Sequence, residues 1–279
     1  MIAVAERAPA PARFSDLRKR ALSAAVLGPL ALAAIWLGAW PFKVMIGLVG
    51  AVLAWEWLHL RGLRARSWPG LLVPLAVLAA CLAAALERPG LALLALLAGF
   101  GCALLAAPPG LRRFLAAGVP YIGIACVCLI ELRGYAEAGL ENVVFLVGIV
   151  WASDIGAYAA GRVLGGPKLW PRVSPSKTWA GFCGGLAAVL VVGVLLGRAL
   201  QPAPIGPMLV MAALLGIATQ AGDLLESWIK RRCHVKDSSH LIPGHGGVLD
   251  RVDGLLAAAP VAALASLLIG PGVHLWRWT

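Results

Sequence analysis

Nine apolar runs of about 20 residues, the length that crosses a hydrocarbon core, recur along the 279-residue chain. They lie at roughly 21–40, 42–60, 69–86, 91–107, 114–132, 141–161, 179–199, 205–228 and 254–276. The runs are continuous and rich in Leu and Ala, with no residue-by-residue alternation, which predicts helices that satisfy their own backbone hydrogen bonds in lipid and argues against a transmembrane barrel. Composition agrees, with 61% hydrophobic and only 13% charged residues. The expected fold class is all-α, a polytopic transmembrane helix bundle of about nine spans. The first run follows basic residues but is long enough to span, and more membrane helices follow it, so it reads as a retained helix and not as a signal peptide.

Charge supplies the orientation. With the N-terminus placed in the cytoplasm, all but five of the 24 Lys and Arg residues fall on the inner side. The five outer ones are Lys43, Arg88, Arg133, Arg198 and Arg277. Such asymmetry is the positive-inside pattern. The net charge of +11 follows from this topology and from attraction to anionic lipid head groups, and no soluble domain is present that would bind nucleic acid. Trp40, Trp68, Trp170, Trp179, Trp276 and Trp278 sit at span ends and read as interfacial anchors. The six cysteines contain no CxxC pair and read as structural thiols.

Three regions follow. Residues 1–20 form a basic cytoplasmic segment. Residues 21–140 form a scaffold of about five spans, with Glu56 and Glu131 near helix ends. Residues 141–279 hold about four spans and two polar cytoplasmic loops, 162–178 and 229–253, and carry the chemistry.

Ionisable residues inside spans are costly and face a cavity or a partner. Asp154 and Tyr158 share a face of the sixth span, where the carboxylate serves either a site or an ion pair with another helix. Asp223, Glu226 and Ser227 share a stripe at the end of the eighth span. Hard oxygen ligands in that arrangement suit magnesium, which takes one or two carboxylates plus substrate phosphates. The plainer reading of Glu226 is a surface ion pair with Lys230, and it leaves Asp223 unexplained.

The loop beyond supplies Lys230, Arg231, Arg232 and Lys236, then Asp237 and the turn Pro243-Gly244-His245-Gly246-Gly247. Bare glycine amides can approach an anion closely, which makes this turn a candidate phosphate cradle with His245 as a donor. His59, His234, His240 and His274 read as interfacial side chains without a zinc pattern. Asp250 and Asp253 open the ninth helix, where acidic residues also complement the helix dipole. Between the sixth and seventh spans, Ser174, Ser176, Lys177 and Thr178 suit phosphate binding at a helix start, or an ordinary helix cap beside an interfacial lysine.

The run from Ser227 through Ile229-Lys230-Arg231, Lys236-Asp237, Ser239, Ile242-Pro243, His245-Gly246-Gly247-Val248 and Asp250-Arg251-Val252-Asp253 resembles the signature of the bacterial integral-membrane phosphatidate cytidylyltransferases, or CDP-diacylglycerol synthases. Asp154, Ala157-Tyr158, Gly161-Arg162, Ser174-Pro175 and Lys177-Thr178 also look like family positions, so the resemblance covers about residues 151–254. It implies conversion of CTP and phosphatidate to CDP-diacylglycerol and pyrophosphate, with magnesium required and potassium a candidate second cation. Asp223 and Asp250 would be the principal metal ligands, with Asp154 a further candidate, and Lys230 and Lys236 would complete the catalytic set. Substrate binding would fall to Ser174, Lys177, Thr178, Ser227, Arg231, His245, Gly246, Gly247 and Arg251, with Asp237 and Asp253 orienting those groups. The resemblance further implies a homodimer in the cytoplasmic (inner) membrane, with the site facing the cytoplasm. Two other readings compete. A CTP-dependent membrane lipid kinase would use similar groups at the γ-phosphorus. An ion-coupled transporter is suggested by Asp154, Asp223 and Glu226 near helix breaks, although the inverted repeats of such proteins are not found.

Overall fold

A computed structural model describes residues 13–63, 67–242 and 246–278. Among these, the expected apolar runs become nine helices in chain order: α1 (Arg13–Leu37), α2 (Ala39–His59), α3 (Trp68–Ala85), α4 (Pro89–Ala106), α5 (Arg112–Gly134), α6 (Gly139–Val163), α7 (Trp179–Leu200), α8 (Ile205–Arg232) and α9 (Leu249–Ile269). Eight of them, α2 to α9, are long and apolar enough to cross a membrane, whereas the apolar part of α1, Ala25–Leu37, is shorter. The protein is a helical membrane bundle. Most of the basic N-terminal segment, residues 1–12, lies outside the described residues.

Lipid, not water, decides which side chains are turned outward. Leu, Val and Trp side chains such as Leu105, Val163 and Trp36 are largely exposed on the outer faces, where hydrocarbon would meet them. Inside, one continuous core runs from Ile35 on α1 to Trp276 beyond α9, so the scaffold and catalytic regions read from the sequence share their packing. Trp276 corrects its reading as an anchor. It is fully buried, stacks on Phe145 with ring centroids 4.5 Å apart and donates its indole N–H to the Gln201 carbonyl at 3.1 Å. Trp40, Trp68, Trp170 and Trp179 remain exposed.

The α6–α7 pair is held by small residues. A Cβ on Gly156 would stand 2.8 Å from the Gly184 carbonyl oxygen, and one on Gly181 would stand 3.0 Å from the Ala157 oxygen. Close backbone approach of this kind is how membrane helices associate without a hydrophobic driving force between them. The connection from α6 to α7 is not bare loop. It folds into an antiparallel hairpin of β1 (Lys168–Trp170) and β2 (Ser174–Thr178), with Lys168 opposite Thr178 and Trp170 opposite Ser174.

Up-and-down winding brings the C-terminal ends of α2, α6 and α8, the N-terminal ends of α7 and α9, and the hairpin together on one side of the bundle. The contacts described next cross among all of these elements.

Candidate active site

A cleft of about 540 Å³ opens among α6, the hairpin, α7, α8 and α9. Its lining includes Asp154, Tyr158 and Arg162 from α6, Ser176, Lys177 and Thr178 from β2, Asp223 from α8, and Asp250, Arg251 and Asp253 from α9. Residues separated by about a hundred positions thus meet, and seven of those singled out from the sequence (Asp154, Lys177, Thr178, Asp223, Asp250, Arg251 and Asp253) share one wall-to-wall space. Asp154 stands nine residues before the end of α6, which at 1.5 Å per residue puts it roughly 14 Å along the helix from the polar end. The cleft therefore reaches below the level of the loops.

β2 delivers Lys177 to the flank of α8, nine residues before that helix ends, where its ammonium lies 2.5 Å from a carboxylate oxygen of Asp223. Thr178, the next residue, is the N-cap of α7. Its side-chain oxygen accepts the Gly181 N–H at 3.0 Å, which realises the capping alternative, and its hydroxyl still lines the cleft. Asp223 keeps 36% of its side-chain area exposed, so a cation entering the cleft can reach it.

Asp250 is held quite differently. One of its oxygens lies 2.7 Å from the Lys230 ammonium. The other accepts the Gly247 N–H at 2.9 Å and the Ser238 hydroxyl at 3.0 Å, and the Ser238 N–H reaches both oxygens at 3.0 and 3.2 Å. Asp250 thus ties α9 to α8 and to both ends of the intervening loop. Within that loop Ile242 N–H donates to the Gly246 carbonyl at 2.9 Å, closing a turn. Gly246 adopts φ +83, a left-handed conformation that suits glycine, and a Cβ on Gly247 would collide with the Ser238 hydroxyl and stand 2.7 Å from Glu56. These two glycines are explained by backbone shape and crowding. His245 lies outside the described residues.

The stripe formed by Asp223, Glu226 and Ser227 divides. At 100° per residue, Glu226 and Ser227 fall on opposite flanks of Asp223. Asp223 faces the cleft, while Glu226 is 1% exposed and lies 2.6 Å from Lys230. The predicted Glu226–Lys230 pair is real, but it is an interior pair and not a surface one, because Lys230 is drawn inward between Glu226 and Asp250. Lys230 consequently stands behind Asp250. Arg231 braces the loops, donating to the Val173 and Val235 carbonyls at 3.3 Å. Ser174 is buried in β2, and Lys236 and Asp237 are exposed on the loop. Ser174, Ser227, Lys230, Arg231, Lys236, Asp237, Gly246 and Gly247 are not among the residues lining the cleft.

Glu56, read from the sequence only as part of the N-terminal scaffold, reaches the start of α9 and the loop before it. It is completely buried at the end of α2 and accepts hydrogen bonds from the Val248 and Leu249 amides at 2.8 and 2.6 Å and from the Ser238 and Ser239 hydroxyls at 3.2 and 2.6 Å. The one local signal was a carboxylate inside an apolar run, which is expensive in a membrane helix unless it has partners.

Comparison with known proteins agrees with this architecture. The model of the cytidylyltransferase family matches residues 18–269. A phosphatidate cytidylyltransferase from Brucella suis biovar 1 is 43% identical over 254 residues, covering 90% of this chain and 93% of the relative. Proteins of the same name from Pseudomonas aeruginosa and Bacillus subtilis are 38% and 33% identical, each covering 88% of this chain and 96% of the relative. The membrane-spanning helices and these relatives together define a polytopic membrane enzyme of the nucleotidyltransferase class. The chain belongs to the cytidylyltransferase family.

Proposed function

We propose that the protein makes CDP-diacylglycerol and pyrophosphate from CTP and phosphatidate, with the chemistry in the cleft between α6 and α9. The observation that carries this reading is the convergence of four carboxylates, Asp154, Asp223, Asp250 and Asp253, with the cations Lys177 and Arg251 in one cleft that extends down from the polar end of the bundle. A transfer between two phosphorylated substrates needs both signs of charge. Cations neutralise the phosphates, and carboxylates hold the groups that do so.

An oxygen of the phosphatidate phosphate attacks the α-phosphorus of CTP. The new P–O bond forms as the bond from that phosphorus to the bridging oxygen of the β-phosphate breaks, and pyrophosphate leaves with the electron pair. The attacking oxygen is already anionic, so no strong general base is required. Lys177 and Arg251 bind phosphate oxygens from two sides of the cleft, and catalysis rests on positioning and charge stabilisation. The acyl chains remain in lipid.

Among the described residues, no group of three or more Asp, Glu, His or Cys side chains is arranged to hold a metal ion. Magnesium needs fewer protein ligands, being commonly bound by one or two carboxylates and completed by substrate phosphates, and the acidic lining of the cleft is the donor chemistry it takes. Asp223 and Asp250 would hold it, with Asp154 and Asp253 nearby in the lining, and a second cation such as potassium would share the same acidic wall. When bound it supplies charge neutralisation at the phosphates and at the leaving pyrophosphate. The charged lining residues make contact with substrate or with the metal. Lys230, Arg231, Lys236 and the loop glycines act from outside the cleft, through Asp250 or by meeting the outer phosphates. The N-terminus and the active site face the cytoplasm in this reading, as the basic loops require in an inner membrane, and two copies form a homodimer.

The test uses purified protein in mixed micelles with phosphatidate, CTP and magnesium. Equal yields of pyrophosphate and CDP-diacylglycerol are expected. Release of CDP in their place would identify a lipid kinase, and absence of nucleotide turnover from well-folded protein would overturn the enzyme reading.

A further inference from the structure

We infer that Glu56, on the opposite half of the chain from the nucleotide chemistry, is a positioning residue for the reaction that sets the geometry of Asp250. The inference rests on the activity proposed above and on a chain of contacts independent of any ligand.

Glu56 performs three tasks at once. Its two oxygens accept the backbone N–H groups of Val248 and Leu249, the N-cap and first residue of α9. Those amides have no partner within the helix, and a carboxylate at this end also opposes the positive pole of the helix dipole. The cap comes from 192 and 193 residues away in sequence, where a helix ordinarily supplies its own. The Val248 side chain cannot do this, and no side-chain cap bond is formed locally at α9.

The second task concerns the loop. Glu56 accepts the hydroxyls of both Ser238 and Ser239, which pins the segment leaving α8 against the start of α9. The third follows from Ser238. Its hydroxyl lies 3.2 Å from Glu56 and 3.0 Å from Asp250, and its backbone N–H also donates to Asp250. One hydroxyl carries one proton, so Ser238 is shared between the two carboxylates and couples their positions. Gly247 completes the fit, because a side chain there would push Glu56 and Ser238 apart. A displacement of Glu56 therefore moves α9's first turn, the Ser238 hydroxyl and the Gly247 amide together, and all three determine where Asp250 points into the cleft.

Ser238 and Ser239 separate positioning from mere support. Both bind Glu56, yet only Ser238 also binds Asp250. Ser238 is the link through which Glu56 acts on Asp250, so its loss should cost more turnover than the loss of Ser239.

The experiment compares purified Glu56→Gln, Ser238→Ala and Ser239→Ala with the unaltered protein. Turnover is measured per folded molecule, with KM for CTP, thermal unfolding in detergent and hydrogen–deuterium exchange of the 238–250 peptides. Glutamine keeps the shape of Glu56 but turns an N–H₂ toward backbone donors. We expect Glu56→Gln to lower kcat about 10- to 100-fold, the usual range for groups that orient a metal-site ligand, with KM for CTP within about threefold. Exchange should accelerate in residues 238–250 and stay unchanged in α6 and α7. Ser238→Ala should lower kcat about 10-fold and Ser239→Ala only about threefold. Unchanged kcat and exchange in Glu56→Gln, equal losses in the two serine variants, or a loss explained entirely by a smaller folded fraction would each overturn the inference. If the unaltered protein produced no CDP-diacylglycerol, the functional reading would fail, and exchange in residues 238–250 would still decide whether Glu56 positions Asp250.

Discussion

Helix α8 and the start of α9 each offer an aspartate to the same cleft, but the two are built to different standards. Asp223 projects from a helix that is complete without it, meets the Lys177 ammonium, and keeps about a third of its area open. Asp250 is 8% exposed and is gripped by Lys230, two backbone amides and a hydroxyl, with Glu56 bracing the hydroxyl from behind. Charge-assisted hydrogen bonds of this number fix a carboxylate's direction before any ligand arrives. The difference teaches that an acidic residue can belong to a site in two ways: as an available group, or as a group whose loss also unfastens the surrounding loop.

Asp250→Asn should produce the largest effect and break both halves of that comparison. Asparagine keeps one carbonyl oxygen and turns an N–H₂ to the other side, so it satisfies either Lys230 or the Gly247 and Ser238 donors but not both, and it carries no charge to pair with Lys230. Turnover should fall at least about 1,000-fold, as for loss of a principal charge-stabilising group. Stability should also fall by about 3 kcal/mol, the scale for breaking a buried pair. Product formation and thermal unfolding in one detergent check the two parts, and a fully stable Asp250→Asn would remove the anchoring role.

Asp223→Asn sharpens the contrast. Loss of turnover by at least about 100-fold is expected, with unfolding close to that of the unaltered protein, because its ion pair with Lys177 is partly exposed and such pairs contribute at most about 1 kcal/mol. Parallel losses of activity and stability in this variant would erase the distinction between the two aspartates.

Lys177→Met should lower kcat/KM for CTP about 10- to 100-fold by removing a phosphate-binding charge while keeping the apolar stem. Steady-state kinetics at varied CTP measure it, and an unchanged value would place Lys177 in support of Asp223 alone. The smallest effect belongs to Thr178→Ala. It deletes the cap on α7, costs about 1 kcal/mol of stability and leaves turnover within a few-fold. A loss as large as that of Lys177→Met would instead mean that the Thr178 hydroxyl binds substrate.

The apolar windows and the observed helices agree closely because a span must be long and apolar whatever surrounds it. The last window moves most. Helix α9 begins at Leu249, which places Asp250 in its first turn as the acidic pair had suggested, and the cap itself comes from Glu56, far away in sequence. The 162–178 loop contained β2, and with it the route by which Lys177 reaches Asp223, but five residues of Ser, Pro, Lys and Thr carry no strand signal of their own.

Sequence by itself determined that the chain is a helical membrane protein and offered Asp154, Lys177, Thr178, Asp223, Asp250, Arg251 and Asp253 as candidates, which the fold brings to one cleft. The first depends on run length, a local quantity, and the second on residue type and short spacing together with the family resemblance. Tertiary structure alone decided that Glu226 faces inward, that Lys230 bridges it to Asp250, and that Glu56 joins the supposed scaffold to the site. The bonds from Ser238 and Leu249 to Glu56 span 182 and 193 residues. A buried carboxylate must find partners because leaving it without them in a membrane interior is costly, but which partners it finds is fixed only when the helices pack.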